Sequence, residues 1–83
     1  MDPGILAERM KESAERLGME VRECPAESEG GVVVLKGRRV VFIPQGSLAS
    51  MRIDFLARAL AEVDTDSVYL LPAVREAVER AKG

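Results

Sequence analysis

Cys24 is the only cysteine of this 83-residue chain, and there is no histidine. Hydrolytic zinc chemistry needs two or three imidazole or thiolate ligands around an open coordination position. One chain of this composition cannot assemble them. Ser-His-Asp and Cys-His nucleophilic arrangements fail for want of the base. Cys24 alone could serve as a nucleophile or redox sensor, for which the thiolate is the reactive form. Arg22 favours that form, whereas Glu23 and Glu27 oppose it. Cys24 therefore reads as an unreactive thiol at a strand end.

The remaining motifs have structural readings too. Gly30-Gly31 lacks the Gly-x-Gly-x-x-Gly spacing and precedes a strand, whereas a dinucleotide fingerprint follows one and opens a helix. Turn geometry accounts for the pair. Asp54, Glu62, Asp64 and Asp66 could include an acid-base pair. Asp54 and Glu62 read instead as solvated positions on the outer side of a helix, and Asp64 and Asp66 flank its end. The longer oxygen-rich loop of a calcium site is absent. No catalytic residue, metal ligand or cofactor is assigned.

Two arginines are candidate contacts for a ligand or partner. On a helical wheel Arg52 falls inside an apolar arc, between Ala59 and Val63. Its long stem could snorkel past the core edge. Alternatively, its guanidinium could face an anion, Glu20 or a partner's acid. Arg75 stands in the first turn of a helix, against the helix dipole, and an ion pair with Asp64 or Asp66 would offset this.

These residues must be positioned by six elements. Asp2 suits an N-cap, Pro3 the first helical position and Gly18 the residue after the helix end. Leu6, Met10, Ala14 and Leu17 share one face at helical spacing, and Glu12 and Arg16 stand in a favourable i,i+4 order. Met19–Glu23 alternates like a strand with one wet face. A polar loop, Cys24–Gly30, follows. Val32–Leu35 and Val40–Ile43 flank Lys36-Gly37-Arg38-Arg39 as a hairpin, with Gly37 supplying a positive φ. Both strands are apolar at consecutive positions, which predicts cover on both sheet faces. The chain's own helices would supply one cover, and a second copy or a partner the other.

Pro44-Gln45-Gly46 ends the hairpin, and Ser47 suits the cap of a second helix. Leu48, Met51, Phe55, Leu56, Ala59, Leu60 and Val63 form its apolar face. Asp64–Ser67 breaks the pattern. After the short apolar segment Val68–Leu71, Pro72 opens a last helix to about Lys82 that buries Val74, Ala77, Val78 and Ala81. The expected fold is α+β in the order α-β-β-β-α-α. It is a single domain over residues 1–83, with a small antiparallel three-stranded sheet and helices packed mainly on one face.

Composition narrows the function classes. At 47% hydrophobic residues the chain can build a core, although a domain this small has a thin stability margin that a subunit interface would widen. A net charge of -2 and three aromatic residues (Tyr69, Phe42 and Phe55) predict no nucleic-acid partner. No apolar run approaches the roughly 20 residues of a membrane span. The N-terminus lacks the basic and apolar regions of a signal peptide, and a lone thiol suits a reducing compartment. The expected location is cytoplasmic.

The hairpin Gly31-Val-Val-Val-Leu-Lys-Gly-Arg-Arg-Val-Val-Phe-Ile, the helix segment Leu-Ala-Arg-Ala-Leu (56–60) and Tyr-Leu-Leu-Pro-Ala-Val-Arg-Glu (69–76) fall in the stretch from Gly30 to about Val78, which is over half the chain. Together they resemble a family of small uncharacterised bacterial proteins, which implies a fold and no activity. A fainter resemblance is to the hairpin-helix unit of small zinc peptidases that cleave phage repressors. In that family a helix bearing His-Glu-x-x-His follows the strand. Here the corresponding helix reads Asp54-Phe-Leu-Ala-Arg-Ala-Leu-Ala61, without a ligand, which implies a non-catalytic relative.

The leading functional expectation is a non-catalytic interaction or accessory module that self-associates, as a dimer, or binds a protein partner. The alternative is a small-ligand or anion-binding module centred on Arg52. An enzyme using Cys24 or the acids is the remote third.

Overall fold

The computed structural model describes all residues, Met1–Gly83, as α1 (Pro3–Arg16), β1 (Glu20–Cys24), β2 (Gly31–Leu35), β3 (Arg38–Pro44), α2 (Ala49–Ala61) and α3 (Pro72–Lys82). The fold is α+β in the expected order. Local chemistry sets most of the boundaries. Asp2 Oδ2 accepts hydrogen bonds from the Gly4 and Ile5 amides at 2.9 and 3.2 Å, and Pro3 opens α1. At the other end Gly18, at φ 87°, lets the Met19 amide reach Ala14 O and its own amide reach Glu15 O, both at 3.0 Å. This is a Schellman closure, which satisfies carbonyls that the helix end leaves open.

The hairpin is tighter than its sequence suggests. Leu35 pairs directly with Arg38, so the connection is Lys36-Gly37 alone. Both have positive φ, 53° and 79°, as a type I′ turn requires. Arg38 and Arg39 therefore belong to β3.

The sheet is mixed, not antiparallel throughout. Its strand order is β1-β3-β2, with β1 parallel to β3 and β2 antiparallel to it. β3 carries the run Val40-Val41-Phe42-Ile43, and a central position pairs its backbone on both sides. β1, Glu20-Val-Arg-Glu-Cys, alternates apolar and charged residues and suits an edge. The chain reverses twice between β1 and β3, once in the loop after Cys24 and once in the hairpin, so β1 runs the same way as β3.

α1 and α2 pack against one face of the sheet, and α3 packs against these two helices. Met10, Met19, Val41, Ile43, Leu56, Leu60, Leu70, Val74 and Val78 meet there in one core, with Val21 and Val32 packed at its margin. α2 lies between α1 and α3 in the helical layer. Burial of each large side chain contributes about 1.5–3 kcal/mol.

Several side chains depart from the sequence-based assignment. The apolar face of α2 is rotated: Ala57 is buried, while Leu48 and Met51 are exposed. α2 must contact both neighbouring helices, which turns its N-terminal apolar residues outward. Ser47 does not cap α2, whose N-cap is Leu48 without a side-chain bond. The Ser47 hydroxyl instead donates to Pro44 O at 2.6 Å and closes the preceding turn. Glu12 pairs with Arg9 at 3.2 Å and not with Arg16. Ala81 is exposed in the last turn of α3, beyond its neighbour's reach. No helix is long and apolar enough to cross a membrane.

Candidate interaction surface

Strand alternation sorts the sheet residues by face. Partners in register point the same way, so Glu20, Arg22 and Cys24 of β1 share a face with Arg38, Val40, Phe42 and Pro44 of β3. Gly31, Val33 and Leu35 of β2 join them. This is the face without helices. On this face Val40 is buried under its neighbours and Phe42 is half-buried, while Val33 and Leu35 are exposed.

Two hollows occupy this open face. One, of about 210 Å³, is lined by Cys24, Ser28, Gly30, Gly31, Val33 and Phe42. The other, of about 480 Å³, is lined by Glu20, Arg22, Leu35, Lys36, Arg38 and Val40. Glu20 is ion-paired with Arg22 and, at 3.6 Å, with Arg38. Arg38 Nε also donates to Gly18 O at 3.1 Å, tying the hairpin to the end of α1. The charged residues thus lie toward the β1 side, and the apolar ones toward β2.

β2 is the more unusual edge. Val33, Val34 and Leu35 are 42%, 58% and 50% exposed, and Val34 points to the helical side, beyond the reach of the helices. Five residues, Gly-Val-Val-Val-Leu, carry no charge and no proline. Soluble proteins usually blunt an open edge with such residues, because its unpaired N–H and C=O groups template pairing with another chain. β1, the opposite edge, has Glu20, Arg22 and Glu23.

Gly30 sets the start of this strand. Its φ is 71°, and a Cβ there would stand 2.7 Å from Phe42 O, 2.8 Å from Pro44 Cδ and 3.0 Å from Phe55 Cζ. Only a residue without a side chain lets the loop enter the sheet so close to β3. Cys24, half-buried at the end of β1, accepts through its carbonyl from the Gln45 amide at 2.9 Å. Ser28 is the hydroxyl residue that lines the hollow with it; no carboxylate does. No three of the Cys, Asp and Glu side chains are grouped to hold a metal ion.

The structure does not bring the two singled-out arginines together. Arg52 lines a recess of about 300 Å³ with Lys11, Val21, Arg22, Glu23 and Ile43, on the helical side of the sheet. It forms no ion pair within 4.0 Å. The contact with Glu20 is not made, because alternation places Glu20 on the opposite face. Arg75 is exposed and pairs with neither Asp64 nor Asp66. Asp64 Oδ1 instead accepts from the Asp66 amide at 2.8 Å, closing its own turn.

Residue chemistry alone does not single out Glu29, Val33, Leu35 and Lys36. The signal was present as an uncharged five-residue strand with acids before it and bases after it. Comparison of the chain with family models, curated proteins and solved structures finds no match.

Proposed function

We propose that this protein is a non-catalytic interaction module that self-associates through the β2 edge and the adjoining open sheet face. The observation that carries this reading is β2 itself: an unprotected edge strand, with exposed valines on both faces and no charge along its length. Such a strand in a monomer is an aggregation hazard, and pairing with a second copy removes it. The partner is protein rather than nucleic acid, since the net charge is -2 and neither hollow presents a stacked aromatic platform. A cytoplasmic setting suits the unpaired thiol of Cys24.

Val33→Lys tests the proposal. Val33 is exposed, so the substitution leaves the core intact while placing a charge at the centre of the strand. Light scattering during gel filtration should report a dimer for the parent and a monomer for the variant, at similar melting temperatures. A monomeric parent, or an unchanged dimeric mass in Val33→Lys, refutes it.

A second reading, an anion site, has Arg52 and Lys11 in its favour. Both line one recess, and neither has an ion-pair partner. Inorganic phosphate should then raise the melting temperature of the parent and not of Arg52→Ala. Equal responses would discard the site.

A further inference from the structure

We infer that two copies join β2 to β2 antiparallel, with a twofold axis perpendicular to the sheet at Val33, making one six-stranded sheet. The inference rests on the self-association proposed above and specifies its geometry.

Backbone direction sets the allowed registers. A two-residue turn closes on a pair that exchanges both of its hydrogen bonds, here Leu35 and Arg38. Alternation then aims the N–H and C=O of Leu35, Val33 and Gly31 at β3. Those of Val32 and Val34 are left on the outer edge. An antiparallel partner must pair outward groups with outward groups, so the axis passes through Val32, Val33 or Val34. With the axis at Val33, Val32 lies opposite the second copy's Val34 and exchanges both bonds with it. The twofold repeats this at the other end. Val33 meets its own counterpart in the close, non-hydrogen-bonded position.

Side-chain size favours the same register. Leu35 comes opposite Gly31 of the second copy, on the open face. Gly31 has no side chain and borders the hollow of about 210 Å³ between Val33, Phe42 and Cys24. A projecting leucine is thus set against a recess, twice. Moving the axis to Val32 puts Leu35 against Glu29 and forfeits this fit. Moving it to Val34 sets Val32 against Lys36.

Charge agrees independently. Glu27 and Glu29 precede β2, and Lys36 follows it in the turn, without an ion-pair partner; Arg38 and Arg39, next on β3, pair with Glu20 and Glu62. Antiparallel pairing about Val33 brings the acidic loop of each copy to the basic turn of the other. Parallel pairing would set acid beside acid and base beside base, which is unfavourable.

Cysteine cross-linking distinguishes the geometry from self-association itself. In a Cys24→Ser background, Val33→Cys places two thiols on a close antiparallel pair. The Cα separation there is about 4.5 Å, within the disulfide range. Leu35→Cys places its thiols four residues out of register, roughly 13 Å apart. Mild oxidation of the full chain, at a concentration where sedimentation shows the Cys24→Ser dimer, should convert Val33→Cys to a covalent dimer. Leu35→Cys, the more exposed position, should remain reducible monomer and so controls for random collision. If the parent is dimeric but Val33→Cys stays uncoupled, or Leu35→Cys couples equally, the register is wrong and self-association stands. A monomeric parent overturns both.

Discussion

Replacing Gly30 by alanine should be among the most damaging single-methyl additions in this protein. Two costs act together. At φ 71° a side chain meets its own backbone, which costs roughly 1–2 kcal/mol. The new methyl would also stand 2.7 Å from Phe42 O, 2.8 Å from Pro44 Cδ and 3.0 Å from Phe55 Cζ. Two of these neighbours belong to β3 and the third is a core ring, so the loop must move outward; overpacking of this kind costs about 1–3 kcal/mol. The sum, about 2–5 kcal/mol, corresponds to a fall in Tm of at least about 8 °C for a domain of this size. Gly37→Ala is the internal control. Its φ is 79°, but nothing lies within 4 Å of the added Cβ, so only the first cost applies. Urea unfolding of the parent and both variants measures the difference directly. Equal destabilisation by Gly30→Ala and Gly37→Ala would show that the close approach of the loop to β3 carries no energy, refuting the account of how β2 enters the sheet.

Leu60→Ala removes a fully buried side chain from the last turn of α2 and should cost about 2–5 kcal/mol by the same assay; a loss below about 1 kcal/mol would contradict its place in the core. Asp2→Ala deletes the acceptor for the Gly4 and Ile5 amides, with an expected loss of about 0.5–2 kcal/mol and earlier amide exchange in the first turn of α1. Arg52→Ala should change stability by less than about 0.5 kcal/mol, because Arg52 has no ion-pair partner. A larger loss would mark its stem as a packing element. Glu29→Lys and Lys36→Glu should each weaken dimerisation, measured by sedimentation equilibrium, and their combination should restore most of it. Simple addition of the two losses would remove the proposed contact between acidic loop and basic turn.

The candidate surface was half legible in the chain. Consecutive apolar residues at 32–35 and 40–43 predict a sheet with cover on two faces; in the structure the helices cover one, and on the other Val33 and Leu35 are exposed. Arg52 was conspicuous on a helical wheel, yet its proposed contact with Glu20 depended on which face β1 turns to α2. Strand alternation places them on opposite sides. The exposed Leu48 and Met51 were assigned to the core because periodicity gives the angle of a helical face and not the number of neighbours it meets.

The amino-acid sequence by itself determined the elements and most of their ends. Asp2, Pro3 and Gly18 delimit α1, Lys36-Gly37 turns the hairpin, and Pro72 starts α3, all through bonds and clashes within a few residues. Only the tertiary structure decided that β3 lies between β1 and β2, that β1 runs parallel to it, and that β2 is left with an open, uncharged edge. Those outcomes come from competition among distant segments for the same apolar surface and the same backbone partners. β3 takes the centre because its backbone finds partners on both sides there, β2 across the two-residue turn and β1 in parallel, whereas β1 and β2 each keep one side unpaired.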